Sequence, residues 1–345
     1  MIDPHVHFRD WSQSSKETVK HGLYVASRLG FTHVFDMPNT DPALTCSETV
    51  LRRLELARAS CVEGISYHVY CGLTPQRSQI EEAVELTRSL FPSVIGLKLF
   101  AGQSTGNMGI IGMEREREVF RVLKECHYRG VLAVHAEKQE LIDPSLYVPG
   151  DFRSHSRARK RDAEIESIRD IIRLAMETGF EGRLHIAHVS TSDSIDLVTE
   201  MRSRHMDITM GATPHHSLLD ESYAGNASRY LKMNPPLRDE SDRRAVFEAL
   251  LDGRIDWVES DHAPHTIEDK EKGASGIPAL PAMMLLLSEL RKAGCSEEHL
   301  ARLFGGNASD AYSIEDETSL PSDPLSLYDS MKGEYPFDPF GDYLE

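Results

Sequence analysis

Cysteine is scarce in this sequence. Cys46, Cys61, Cys71, Cys126 and Cys295 are scattered over 345 residues, odd in number and without a CxxC pair. Such spacing excludes a small disulfide-stapled scaffold and suggests free thiols in a reducing compartment, so the chain is expected in the cytoplasm. Long apolar runs are also missing. The greasiest stretch, "IPALPAMMLLLSEL", is too short and too interrupted by proline to span a bilayer, and the N-terminus lacks a basic-then-apolar leader pattern; no membrane segment is expected. Positive charge is in deficit, with 38 Lys and Arg against 55 Asp and Glu, a net charge of -17. Binding to nucleic acid or an anionic membrane draws on clustered Lys and Arg, so neither is expected. The expected partner is a small-molecule substrate, and a second copy of the chain, as a homo-oligomer, stays open.

What the sequence does contain is a repeated alternation. Eight short apolar runs, "DPHVHF", "THVFDMPN", "SYHVYCGLT", "VIGLKLFAG", "VLAVHAE", "LHIAHVS", "ITMGATPHH" and "IDWVESDHAPH", are separated by segments of helical periodicity such as "IEEAVELTRSLF" and "AEIESIRDIIRLAMETG". A chain of this length with 40% hydrophobic residues can form one large barrel or two smaller domains. Eight strands alternating with helices predict an α/β fold, a single (β/α)8 TIM barrel over residues 1–312. Residues 313–345 form an acidic, Pro-containing tail with nine acidic residues and one basic. It is expected to pack on the barrel or extend from it.

Nearly every run ends in polar residues, and in such a barrel the C-terminal strand ends share one face. In "HVHFRD" an extended strand would project His5, His7 and Arg9 from one side. Strand four would add Lys98, strand five His135, strand six His185 or His188, and strand eight Asp261. One histidine alone is more often structural, but imidazoles and a carboxylate at corresponding strand ends suit zinc or a similar divalent ion with positions left for water. Lys98 among cations would be driven toward its neutral amine, which can add carbon dioxide and become an anionic carbamate able to bridge two ions.

Taken in order, "DPHVHFRD", "DMPNT", "GLKLFAG", "VHAE", "HIAHVST", "TPHH", "NPPLR" and "SDHAPHT" resemble the dihydroorotases of the amidohydrolase superfamily. The resemblance implies reversible hydrolysis of L-dihydroorotate to N-carbamoyl-L-aspartate, a step of pyrimidine synthesis. By residue-wise match it implies two divalent metal ions, with His5, His7 and Asp261 on one, His135 and His188 on the other, and carbamylated Lys98 between them. Asp261 would also carry the proton. Three positions separate His185 from His188, so the two are expected on opposite sides of the strand; the family pattern puts the ligand at His188 and leaves His185 facing the helices. Arg9, Asn39 and His265 match positions that hold the substrate carboxylate, Asn234 one that reads the ring amide, and Thr105 in "GQSTGNMG" is a candidate contact in a lid. Relatives add a segment before strand one that helps build a small β-sandwich, so a complete accessory sandwich is not expected here. Two other readings stay open, an allantoinase or hydantoinase type of cyclic amidohydrolase and a non-catalytic barrel acting as an assembly partner. Arg9 with Asn39 favours a dihydroorotase over the first, since a neutral hydantoin offers no carboxylate; the intact ligand set speaks against the second.

Overall fold

A computed structural model describes residues 1–104 and 108–343. Eight strands, β1 (Ile2–Val6), β2 (His33–Asp36), β3 (Ser66–Gly72), β4 (Val94–Ala101), β5 (Val131–Ala136), β6 (Arg183–Ile186), β7 (Ile208–Ala212) and β8 (Trp257–Val258), correspond to the eight apolar runs. They pair in chain order, each parallel to the next. A parallel bridge from Val6 to His262, with the His7 amide donating to the His262 carbonyl at 2.7 Å, brings the last strand against the first. The fold is a (β/α)8 barrel.

Helices cover the outside: α1 (Val19–Arg28), α2 (Ser47–Ala59), α3 (Arg77–Ser89), α4 (Met113–Glu125), α5 (Phe152–Ala158), α6 (Arg161–Thr178), α7 (Ser192–Ser203), α8 (Pro214–Leu218), α9 (Glu240–Leu251), α10 (Ile267–Glu271), α11 (Ala282–Lys292), α12 (Glu297–Ala301), α13 (Asn307–Tyr312) and α14 (Pro324–Met331). Their starts are set locally. The hydroxyls of Thr18, Thr191 and Thr213 each accept from a backbone amide in the first turn of the helix that follows, and Thr266 and Asp269 form a reciprocal capping box at α10. Among the described residues no helix is long and apolar enough to cross a membrane.

Two apolar clusters divide the work. One lies between sheet and helices; the other gathers Ile2, Phe35, Tyr70, Ile95, Val131, Ala133 and Trp257 inside the barrel, with Tyr312 of α13 below. The barrel interior is therefore a packed floor, and side chains at the C-terminal strand ends stand above it. Beyond the barrel, α14 packs on α11, Tyr328 and Phe340 are buried, and the Tyr335 hydroxyl donates to Glu17 Oε1 at 3.1 Å.

Candidate metal centre and active site

Strand β1 ends at Val6, so only His5 lies within it, while His7 and Arg9 follow the strand. The three still line one pocket, about 370 Å³ and open to solvent, together with Asn39, Phe100, His135, His188, Asn234 and Asp261. Past the strand end the backbone is held by the His7–His262 hydrogen bond and by side-chain anchoring. The buried Arg53 of α2 donates to the carbonyls of Phe8 and Arg9, both at 2.6 Å, and grips Asp36 at the end of β2 at 2.6 Å. Arg53→Ala would leave Asp36 and two carbonyls buried without their cation; a loss of about 3–5 kcal/mol in denaturant unfolding is expected, and wild-type stability would contradict this role.

Two groups of ligand-type atoms face each other. In the first, His7 Nε2 lies 2.9 Å from Asp261 Oδ1 and 3.2 Å from His5 Nε2, and His5 Nε2 is 3.4 Å from Asp261 Oδ1. Their ligand atoms all fall within 4.8 Å of one another, close enough to share one ion. In the second, His135 Nδ1 is 3.1 Å from His188 Nε2. The rings of His5 and His188, with centroids 5.2 Å apart, join the groups. Second partners orient the rings. Asn39 Oδ1 sits 2.6 Å from His7 Nδ1, which as donor leaves Nε2 deprotonated toward Asp261, and Glu137, clasped by Arg159, stands 3.0 Å from His135 Nε2.

Burial favours the neutral, ligating form of His5, His135 and His188. Burial lowers His5 to about 4, with the Lys98 charge adding to it, and pushes His188 well below its ordinary value, with His135, His5 and Lys98 adding. Burial works to raise Asp261, but the His7 and His5 imidazoles beside it hold it well below the usual carboxylate range. Lys98 is fully buried in β4, its Nζ has no hydrogen-bond partner among the described residues, and burial lowers it to about 8. His188 and Asp261 both take left-handed backbone conformations, with φ of 42° and 48°. Non-glycine residues pay roughly 1–3 kcal/mol each for such geometry, and it recurs where a site must be held.

Arg9 lines the same pocket, and its Nη2 lies 3.3 Å from His265 Nε2. The Ser275 carbonyl, 3.0 Å from His265 Nε2, can only accept, so the single proton of a neutral His265 is held there and Arg9 is the donor left to face an anion. Burial lowers His265 to about 2, with Arg9, Lys270 and Lys16 adding, and keeps it neutral. Asn234 Oδ1 accepts from His155 Nε2 at 2.8 Å at the pocket edge. Thr105 lies outside the described residues.

No protein-family model matches the chain. It is 33% identical to a dihydroorotase from Halobacterium salinarum over 322 residues, covering 91% of this chain and 72% of that relative. The chain belongs to the dihydroorotase family. Dihydroorotases from Geobacillus sp. and Pyrococcus abyssi are 31% and 33% identical, with 79% and 63% of their lengths covered. The chain thus spans between about three fifths and four fifths of the dihydroorotases it matches. Among solved structures it superposes on an L-hydantoinase from Arthrobacter aurescens with a TM-score of 0.79 at 24% identity, covering 93% of this chain and 73% of that one. It also superposes on a Saccharomyces cerevisiae dihydroorotase in complex with 5-fluoroorotic acid with a TM-score of 0.72 at 18% identity, covering 92% and 85%. Both likenesses bear on the fold.

One expectation for this dihydroorotase-family chain needs correction. His185 does not face the helices. It pairs in register with the interior Ala133, stacks on Trp257 at 4.4 Å and meets Glu259 Oε2 at 3.0 Å, all inside the barrel. Strict alternation holds only to Ile186, where β6 ends; the left-handed turn at His188 then points that ring inward as well. Sequence reading also passed over Arg53, Glu137 and Glu259. A signal existed for Arg53, which shares the buried face of α2 with Val50 and Ala57, where a charge calls for a partner.

Proposed function

We propose that the chain catalyses the reversible hydrolysis of L-dihydroorotate to N-carbamoyl-L-aspartate. One observation carries this reading: the two facing ligand groups and the Arg9 guanidinium line the same pocket, with His265 beside Arg9. A hydrolytic centre next to an anion clamp suits a cyclic amide bearing a carboxylate. The neutral hydantoins of the other cyclic-amidohydrolase reading would bring Arg9 no carboxylate to pair with.

The residues fit a divalent metal pair, zinc by the softness of an imidazole and carboxylate set. His5, His7 and Asp261 would hold one ion, His135 and His188 the other. Lys98, buried and with no hydrogen-bond partner for its Nζ among the described residues, would join them after its neutral amine attacks carbon dioxide, forming a carbamate and releasing one proton. When bound, such a pair makes water a nucleophile near neutral pH and polarises the amide carbonyl. Asp261 accepts the proton of the attacking water and passes it to the ring nitrogen as the C–N bond breaks; ring closure runs the same transfer backward. Arg9 anchors the substrate carboxylate, with His265 beside it and Asn39 in the same pocket completing that end of the site, and Asn234, held by His155, reads the ring amide. The five free cysteines accord with a cytoplasmic setting.

The test is to assay purified protein with dihydroorotate and carbamoyl aspartate alongside metal analysis. Turnover of both compounds, two divalent ions per chain and a carbamate on Lys98 in metal-loaded crystals are expected. A fully loaded site with Lys98 unmodified and turned outward would remove the carbamate, and a preference for hydantoin over dihydroorotate would overturn the substrate.

A further inference from the structure

Glu259 is a fully buried carboxylate one residue beyond β8, and the chemistry above assigns it nothing. Its surroundings are built for it. The His188 amide donates to Oε1 at 2.5 Å; His185 Nε2 and Trp257 Nε1 lie 3.0 and 3.2 Å from Oε2. Position 211 of β7 is glycine, and a Cβ there would sit 2.5 Å from the Glu259 carboxyl carbon, so the neighbouring strand carries a notch where the carboxylate lies. Glu259 Oε1 also faces His5 Nδ1 at 3.5 Å, and that nitrogen has no hydrogen-bond partner among the described residues.

His5 turns its Nε2 toward His7 and Asp261, so the proton of a ligating His5 belongs on Nδ1, the atom that looks at Glu259. The same carboxylate oxygen fixes the backbone of His188, which belongs to the other ligand group and holds a left-handed conformation. We infer that Glu259 is a positioning residue that ties the two halves of the metal centre together, setting the tautomer of His5 and the backbone of His188 through one oxygen. The inference rests on the metal-site reading. It is distinct from a floor role in which Glu259 merely satisfies His185 and Trp257, because a floor role predicts no change in how metal is held.

Zinc affinity, measured by competition with a chromogenic chelator, and the visible spectrum of the cobalt-loaded protein separate the two in wild type, Glu259→Gln and Gly211→Ala. Glu259→Gln is expected to bind zinc ten- to a hundredfold more weakly and to shift the cobalt bands. Gly211→Ala should act in the same direction by less, since it displaces the carboxylate without removing its charge. Affinities within twofold and superimposable spectra would overturn the inference while leaving the metal site standing; a wild type that binds no metal would overturn both. A crystal structure of metal-loaded wild type decides independently of whether the variants fold. Glu259 within hydrogen-bond distance of His5 Nδ1 supports the role, and Glu259 turned away, or His5 ligating through Nδ1, defeats it.

Discussion

Asp261→Asn is expected to abolish turnover in both directions, with a loss of at least about a thousandfold. Two deficits combine. The carboxylate contributes one of three atoms in the first ligand group, 2.9 Å from His7 Nε2 and 3.4 Å from His5 Nε2, and an amide offers that site neither charge nor comparable affinity. An amide also cannot accept the proton released when water attacks, or return one to the ring nitrogen, and general acid–base transfer alone is worth about a hundredfold to ten-thousandfold. The nearby His265 could be mistaken for the proton carrier. It is kept neutral by burial and by Arg9, Lys270 and Lys16, with its Nε2 proton on the Ser275 carbonyl. His265→Ala should therefore retain bound metal and measurable turnover, its main effect falling on KM. Most of the activity surviving in Asp261→Asn, or the pH dependence vanishing in His265→Ala alone, would reverse the two roles.

The barrel was legible because its signal is periodic and redundant: eight apolar runs separated by helical patterns leave little choice of topology, and even β8, two residues long, is marked by the "SDHAPH" that follows it. The ligand-type histidines and Asp261 were legible for a related reason, since they stand near or just past a strand end where polarity breaks an apolar run, while Lys98 lies inside β4. Legibility stopped where backbone leaves the strand. His188 and Asp261 turn through left-handed conformations, which no side-chain alternation announces, and His185 was assigned to the wrong side for that reason. Long-range partners were equally hidden. Glu259 reads as an ordinary polar strand end until β7 is seen to supply Gly211 beside it, and Glu17 gives no sign that Tyr335, more than three hundred residues away, donates to it. A charge whose partner is distant in sequence is visible only as an anomaly, as Arg53 is on the buried face of α2.

Arg9→Lys is the variant that addresses substrate rather than metal. The guanidinium is buried, its Nε donates to the Pro264 carbonyl at 3.2 Å and its Nη2 stands beside His265, so the planar group is already aimed when an anion arrives. Lysine keeps the charge but loses the fork: one ammonium cannot hold the Pro264 carbonyl and present a second, coplanar donor to a carboxylate. Losing one hydrogen bond to a charged group costs roughly 1.5–3 kcal/mol, so kcat/KM for dihydroorotate is expected to fall about tenfold to a hundredfold. Metal content should stay at the wild-type value, because Arg53 grips the main chain at Phe8 and Arg9 and does not depend on the Arg9 side chain. An uncharged hydantoin serves as the internal control. If Arg9 pairs with a carboxylate, the variant loses dihydroorotate turnover and leaves any hydantoin turnover unchanged, so the ratio of the two rates moves; if both fall together, Arg9 supports the pocket rather than the anion, and the assignment of a carboxylate-bearing substrate loses its main support.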